Sequence, residues 1–474
     1  MKADNHSDKI ILVFLCSVAV TAFLIHLNQS ALYYDEAIYA QVAKETVQGN
    51  HWITLYWNGQ PWFHKPPLYF WSTAILFKIF GPSEFWARAL SAFAGVCCVA
   101  LSYLIARHLY GRTSAILSVL ILITSSLFVV NARRGMTDVL MTAFMLLAVY
   151  AYLLSARKSR YWMIVGVACG LAVLTKGAAG LLALPIIGLA LLIDQRRKEL
   201  RDKQFWIAVG AFVSLAIPWH LVLIALHGSE FVNTYFFRHI IERSASDLHL
   251  YEHGPSYYVT VLWQFFWPWV LLTPLTFIAA LRQSRSMVVL IQAFLPLVLL
   301  TLALTKFNWY IVPIIPALAI LIAFGVVQLI ERTGPIVKVL GWMLIPVFVL
   351  AGAIATVGYS KPNKQIEAVT LLMPIAAKDV GAISTSPESL EMTVLYYSDR
   401  KLCADPVISP LSFRPETQCT PGEIRNFVFQ KDRREFIESR FGPLRVIAES
   451  GDFAYGEVIA EGTFKTAPTY SSPL

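Results

Sequence analysis

Tyr33-Tyr34-Asp35-Glu36-Ala37-Ile38-Tyr39 follows directly on the first long apolar run, Ile10–Leu27, and after 23 intervening residues comes Phe63-His64-Lys65-Pro66-Pro67-Leu68. Two adjacent acids at the end of such a run can serve acid–base chemistry. Alternatively Asp35 is the N-cap of the helix suggested by Asp35–Val47, which spacing alone favours. The prolines fix φ and hold His64 and Lys65 in place before a second helix-like run, PPLYFWSTAILFKIFG (residues 66–81). That run is too short to span comfortably and carries Lys78, so it suits a helix lying in a membrane interface. Lys65 is either a snorkelling side chain or a cation kept for an anion, since the positive end of a helix is electrostatically the wrong place for it.

Outward from this loop the chain is apolar. Its 474 residues are 57% hydrophobic and 15% charged, against about 25% charged in ordinary soluble domains. The 13 Trp and 20 Tyr suit two interface belts. Eleven runs can each make a spanning helix: Ile10–Leu27, Phe85–Ala106, Thr113–Asn131, Asp138–Leu154, Tyr161–Thr175, Gly180–Asp194, Phe205–His227, Tyr257–Leu281, Met287–Leu304, Tyr310–Ile330 and Ile336–Gly358. The pair around Lys176 is short enough to be one broken hairpin. The first run lacks a small-x-small cleavage site after it and reads as an uncleaved signal anchor. With the N-terminus inside, an odd number of spans puts the tail outside, and 16 of the 26 Lys and Arg before residue 361 fall in inner linkers, as the positive-inside rule requires. The fold expected is an α-helical polytopic membrane protein. Residues 1–358 form its membrane domain, with long outer loops at 28–84 and 228–256, and residues 359–474 form a small α/β outer domain.

The net charge of +9 does not indicate nucleic acid. Up to Ser360 there are 26 Lys and Arg against 15 Asp and Glu; beyond it, 13 against 15. The excess belongs to the membrane part, and no soluble stretch carries a basic stripe interleaved with aromatics. No GxGxxG or Walker loop appears, so a nucleotide cofactor is not expected.

Several outer helix ends carry cations. Arg133-Arg134-Gly135-Met136-Thr137-Asp138 lies between two runs. Arg134 and Asp138 can pair across one helical turn, yet adjacent arginines on the disfavoured side are better explained by a phosphate. Lys176-Gly177 and Lys306-Phe307-Asn308-Trp309-Tyr310 repeat the theme. Singly, each has a structural reading; together they point to a polyanion pocket. His249, Glu252 and His253 cluster in the second long loop, and Gly166 and Gly170 read as a helix-packing seam. Cys403 and Cys419 are the two tail cysteines, and a bridge between them would suit an oxidising outer compartment.

In this order, YYDEAIYAQVAKE, FHKPPLYFW, RRGMTDVLMT, LTKG, EHGPSYY and KFNWYIVPIIPALAIL resemble the GT-C-type polyprenyl-phosphate-dependent glycosyltransferases over Tyr33–Leu321. The nearest groups are the lipid A aminoarabinose transferases and, more distantly, the protein O-mannosyltransferases. The resemblance implies sugar transfer, with inversion, from a polyprenyl (undecaprenyl) phosphate to a glycolipid or protein acceptor of the bacterial envelope. Asp35, Glu36 and Asp138 would be catalytic. Lys65, Arg133, Arg134, Lys176, Lys306, Tyr310 and Tyr39 would bind the donor. His64 and His253 would hold a divalent metal, zinc by ligand type. The site would face the periplasm of a monomeric inner-membrane enzyme. Departures include Ile38 where the family often has Arg, His64 where the aminoarabinose enzymes have an acid, and Asn308 in place of a proline. They weaken the case for aminoarabinose and lipid A specifically. The rival class, a transporter of lipid-linked sugar, would call for inverted repeats and charged, broken helices at mid-membrane.

Overall fold

The computed structural model describes residues 2–242, 254–274, 287–359, 364–378, 382–386, 391–398, 424–441 and 443–458. In chain order its helices are α1 (Lys2–Leu24), α2 (Asp35–Gln48), α3 (Leu68–Phe80), α4 (Glu84–Tyr110), α5 (Arg112–Ile123), α6 (Ser126–Ala132), α7 (Thr137–Ser155), α8 (Trp162–Lys176), α9 (Ala183–Ile193), α10 (Lys203–Ala216), α11 (Pro218–Phe231), α12 (Tyr257–Phe265), α13 (Met287–Leu302), α14 (Ile315–Glu331), α15 (Pro335–Tyr359), α16 (Lys364–Ala376), α17 (Glu391–Ser398) and α18 (Arg434–Phe441). The strands are β1 (Tyr56–Trp57), β2 (Gln60–Pro61), β3 (Ala382–Ser386), β4 (Ile424–Gln430), β5 (Leu444–Ser450) and β6 (Phe453–Val458). Packing divides the chain into two units. The first holds Met1–Leu27, Phe63–Ile79 and Phe85–Lys361; the second holds Asn28–Trp62, Phe80–Glu84 and Pro362–Leu474.

In the first unit, seven helical stretches are long and apolar enough to cross a membrane, or eight if the bent pair α5 and α6 makes one span. That count, from length and composition among the described residues, meets the eleven runs only in part. Tyr161–Thr175 and Gly180–Asp194 share one stretch, Tyr257–Leu281 runs beyond the described residues, and Met287–Leu304 gives a helix of 16 residues. The shared stretch folds back on itself. Trp162 Nε1, at the start of α8, donates to Glu199 Oε2 at 2.9 Å, just past the end of α9. The expected broken hairpin is therefore present, with its bend at Lys176–Gly177. Gly166 and Gly170 form the seam read from the sequence: a Cβ on Gly166 would stand 2.0 Å from the Ala208 carbonyl of α10.

Charged side chains mark two ends of this unit. Asp8, at the start of α1, pairs with Arg107 at 2.8 Å and Arg112 at 2.7 Å, where α4 meets α5. At the other end of α1, Arg88 in the first turns of α4 donates to the Leu27 carbonyl at 2.9 Å. The two helices are thus antiparallel. Arg133, shortly before α7, donates to the Ala22 carbonyl of α1 at 2.8 Å. The start of α7, with Asp138, therefore lies at the Leu27 end. The close of α7 lies with the Asp8 end, where Tyr152 donates to Asp194 at 2.7 Å and Arg196 to Ser155 at 2.7 Å.

The second unit centres on a four-stranded sheet ordered β3-β4-β6-β5, parallel only between β3 and β4. Phe427, Phe429, Ile437, Phe441, Leu444 and Ala454 make its core, where α18 covers the sheet. Helix α2 packs against α17. The hairpin β1–β2 turns at Asn58-Gly59, both with positive φ, as a two-residue hairpin turn demands. Both turn N–H groups donate to Glu45 of α2, at 2.8 and 3.0 Å. The sequence drew its domain line at 358/359; packing groups the first half of the outer loop with the tail, because α2 has its partner there.

Candidate active site

Arg133 and Arg88 close the end of α1. The last carbonyls of a helix lack intrahelical donors, and the Arg133 guanidinium reaches those of Ala22, Phe23 and, at 3.5 Å, His26. Two of the three Arg133 nitrogens thus meet backbone carbonyls at this end of α1. Arg134 is exposed in the turn before α7 and does not pair with Asp138. The turn is held from behind, where Ser91 Oγ donates to the Met136 carbonyl at 2.8 Å and accepts from the Met136 N–H at 3.1 Å.

Asp138 lies in the first turn of α7 and is 1% exposed. Its Oδ1 accepts from Nζ of Lys176, the last residue of α8. Its Oδ2 is buried and has no hydrogen-bond partner among the described residues. A buried carboxylate oxygen without a partner is costly. Lys176 Nζ also stands 5.1 Å from the centre of the Tyr310 ring, a cation–π distance. Tyr310 opens the run into α14, four residues after Lys306, which is 6% exposed and donates to the Leu304 carbonyl at 3.5 Å.

Gly177 explains how Lys176 reaches this place. Its φ of 54° and ψ of −125° are glycine territory. A Cβ here would lie 2.3 Å from the Tyr235 hydroxyl and 3.5 Å from Pro66 Cγ. The Lys-Pro-Pro loop therefore runs beside the Lys176–Gly177 bend, which gathers Lys65, Lys176, Asp138 and Tyr310 at one end of the unit. Lys65 Nζ donates to the His64 carbonyl at 3.3 Å.

Behind the bend, Tyr235 is seated in a cluster of Phe63, Leu174, Trp219, Leu223 and Phe231. The Ala216 carbonyl can only accept, so it takes the proton of His220 Nδ1 at 2.8 Å. In the neutral ring, Nε2 is then left to accept from the Tyr235 hydroxyl at 3.0 Å. Neither residue was marked by the sequence; a lone His within an apolar run carries no site signal.

His64 meets His239, the rings 4.0 Å apart at 40°. His239, on the π-helical segment Val232–Glu242, is a second residue that sequence reading missed. Two imidazoles are half of a tetrahedral zinc shell. No group of three or more candidate ligands occurs among the described residues. His249, Glu252 and His253 lie outside the described residues, as do Cys403 and Cys419.

Asp35 and Glu36 belong to the second unit. The N-cap of α2 is Tyr34 (φ 50°, ψ −129°), with no side-chain cap bond. Asp35 is the first helical residue, which corrects the N-cap reading and leaves only the general benefit of an acid in a first turn. Glu36 is 6% exposed, and Tyr39 packs edge-on to Trp62 at 6.3 Å.

Comparison with known proteins finds the same relations. Residues 64–221 match the family described as dolichyl-phosphate-mannose-protein mannosyltransferase. The crystal structure of ArnT from Cupriavidus metallidurans bound to undecaprenyl phosphate has a TM-score of 0.73 to this chain, at 19% identity, covering 94% of this chain and 97% of that one. The chain has the GT-C fold. Oligosaccharyltransferase from Archaeoglobus fulgidus shares it at a TM-score of 0.61 and 13% identity, over 90% of this chain and 70% of that one. In sequence, the undecaprenyl phosphate-alpha-4-amino-4-deoxy-L-arabinose arabinosyl transferase of Edwardsiella ictaluri is 30% identical over 339 residues, 68% of this chain and 60% of its own length. The chain spans about three-fifths of the length of the curated relatives it matches.

Proposed function

We propose that this GT-C chain transfers a sugar from undecaprenyl phosphate, or a related polyprenyl phosphate, to a glycolipid of the bacterial envelope such as lipid A, with inversion at C1. One observation carries the reading: a buried Asp138, bound to Lys176 beneath Tyr310, adjoins the Lys-Pro-Pro loop. Cations gathered beside a buried acid suit a reaction whose leaving group is a lipid phosphate.

In that reaction the acceptor oxygen bonds to C1 as the C1–O bond to phosphate breaks, and the phosphate departs with the electron pair. Lys65, Lys176, Lys306 and Tyr310 stabilise the growing charge. An acceptor hydroxyl gives its proton to Asp35, help worth roughly 10²–10⁴-fold; a phosphate acceptor needs no base, and Asp35 then orients it. Asp138 holds Lys176 in place between turnovers. The sugar is already activated by its phosphate, so no nucleotide is needed. A divalent metal held by His64 and His253, zinc by its ligands, belongs to this reading.

The same reading takes the chain across an inner membrane eleven times as a monomer, its N-terminus cytoplasmic and residues 359–474 periplasmic. Domain limits at 1–358 and 359–474 belong with it. A second reading, protein O-glycosylation with the same donor, draws on the mannosyltransferase family match over residues 64–221. Mass spectrometry of glycolipids and glycoproteins from a deletion strain tests both. A glycolipid lacking one sugar supports the first, a glycoprotein lacking one supports the second, and an unchanged glycome removes both.

A further inference from the structure

In the second unit the backbone just before Asp35 is gripped on both sides by one helix of the tail. Leu32 is fully buried. Its N–H donates to the Tyr397 hydroxyl at 3.0 Å, and its carbonyl accepts from Thr393 Oγ1 at 3.0 Å. Thr393 and Tyr397 are four apart, and so lie on one face of α17. The Tyr397 hydroxyl passes its own proton to Glu84 Oε1 at 2.8 Å, which fixes its direction and leaves a lone pair for Leu32. The far end of α2 is held by the same tail helix, with Lys44 Nζ donating to the Tyr396 carbonyl at 3.1 Å and lying 5.3 Å from the Tyr396 ring centre.

Between this grip and Asp35 stands Tyr34 at φ 50°. A non-glycine residue persists in that conformation only where its surroundings over-determine it. An extended or helical Tyr34 would re-aim Asp35 and Glu36 together, so the grip on Leu32 decides where the two acids point.

We propose that α17 is the positioning clamp of the Asp35–Glu36 pair, with Tyr397 and Thr393 as positioning residues that act through the Leu32 backbone. The inference rests on the transferase reading for its kinetic consequence, but the clamp itself is testable without turnover. It gives the tail a task in catalysis, whichever acceptor is used.

Tyr397→Phe keeps the ring and removes the hydroxyl. Hydrogen exchange on the full chain in nanodiscs then shows amides of residues 31–36 opening roughly fivefold faster, the worth of one hydrogen bond. With a polyprenyl-phosphate sugar as donor, kcat falls about 10- to 100-fold, as expected for a misplaced catalytic group, while donor KM stays within about twofold. The penalty disappears on an Asp35→Asn background, because the clamp has nothing left to position. Arg445→Gln, which breaks an exposed pair with Glu457 on the sheet, leaves both readouts unchanged. Unchanged exchange at residues 31–36 overturns the clamp. Exchange that loosens with kcat intact, or an equal loss on the Asp35→Asn background, overturns the positioning role. A wild type that loses no sugar from any lipid-linked donor, with exchange behaving as described, removes the transferase reading and leaves the clamp standing.

Discussion

Replacing Gly177 by alanine isolates the bend that delivers Lys176. Two costs follow from the geometry. First, alanine at φ 54° and ψ −125° carries about 1–3 kcal/mol of backbone strain. Second, the new Cβ stands 2.3 Å from the Tyr235 hydroxyl and must retreat by 0.7 Å to reach the 3.0 Å that real contacts respect. Tyr235 cannot yield cheaply: it is 3% exposed, stacked on Phe231 at 5.1 Å and bonded to His220. The movement therefore falls on the Lys176–Gly177 backbone, and misplacing a catalytic group by such an amount costs on the order of 10²-fold in rate. The assay is single-turnover transfer from a polyprenyl-phosphate sugar by protein in nanodiscs, beside its thermal inactivation midpoint. Gly177→Ala should lose about 10²-fold in rate. The double variant Gly177→Ala/Tyr235→Phe removes the clashing oxygen but not the strain, and should recover roughly tenfold. A Gly177→Ala protein with full activity, or a double variant with no recovery, refutes the reasoning.

Three further outcomes follow from the site. Asp35→Asn should fold normally, since Tyr34 and not Asp35 is the cap, yet lose most turnover; near-normal rates would leave Asp35 a surface acid. Arg133→Gln should lower the thermal inactivation midpoint, because the last carbonyls of α1 lose their donor, and leave donor KM unchanged; a raised KM would instead support a phosphate-binding role. Elemental analysis of purified protein beside a His64→Ala/His253→Ala variant should find stoichiometric zinc only in the former, and metal-free, chelator-indifferent wild type would make both residues hydrogen-bonding groups.

What could be read from the residues was local and periodic. Prolines after Lys65, cations at helix ends and the glycine pair Gly166/Gly170 each carry their reason within a few positions, and all lie where helix ends or seams were expected. The break at Lys176 was legible because two short runs flank a glycine. What escaped depends on contacts distant in sequence. Arg133 meets α1 more than a hundred residues upstream, and Leu32 meets Tyr397 across 365 positions. Asp138 could pair with Arg134 by helical spacing, but α7 begins only at Thr137, so Arg134 lies outside the helix and Lys176 takes the acid. His220 was silent because a lone polar side chain within an apolar run looks the same whether it serves a site or merely satisfies a neighbour, and Tyr235 because it is one of several aromatics in the loop at 228–256.

The central claim is that sugar leaves a lipid phosphate and ends on an acceptor. Purified protein in proteoliposomes, given an isotopically labelled undecaprenyl-phosphate sugar and extracted envelope glycolipid, measures it directly by mass spectrometry of both lipids. The account predicts one labelled sugar on the acceptor, inverted at C1, for each undecaprenyl phosphate released, with Lys176→Met and Asp138→Asn each reducing this at least tenfold. Labelled donor that crosses the bilayer intact, with no sugar leaving its phosphate on any acceptor offered, would contradict it and make the chain a carrier of lipid-linked sugar.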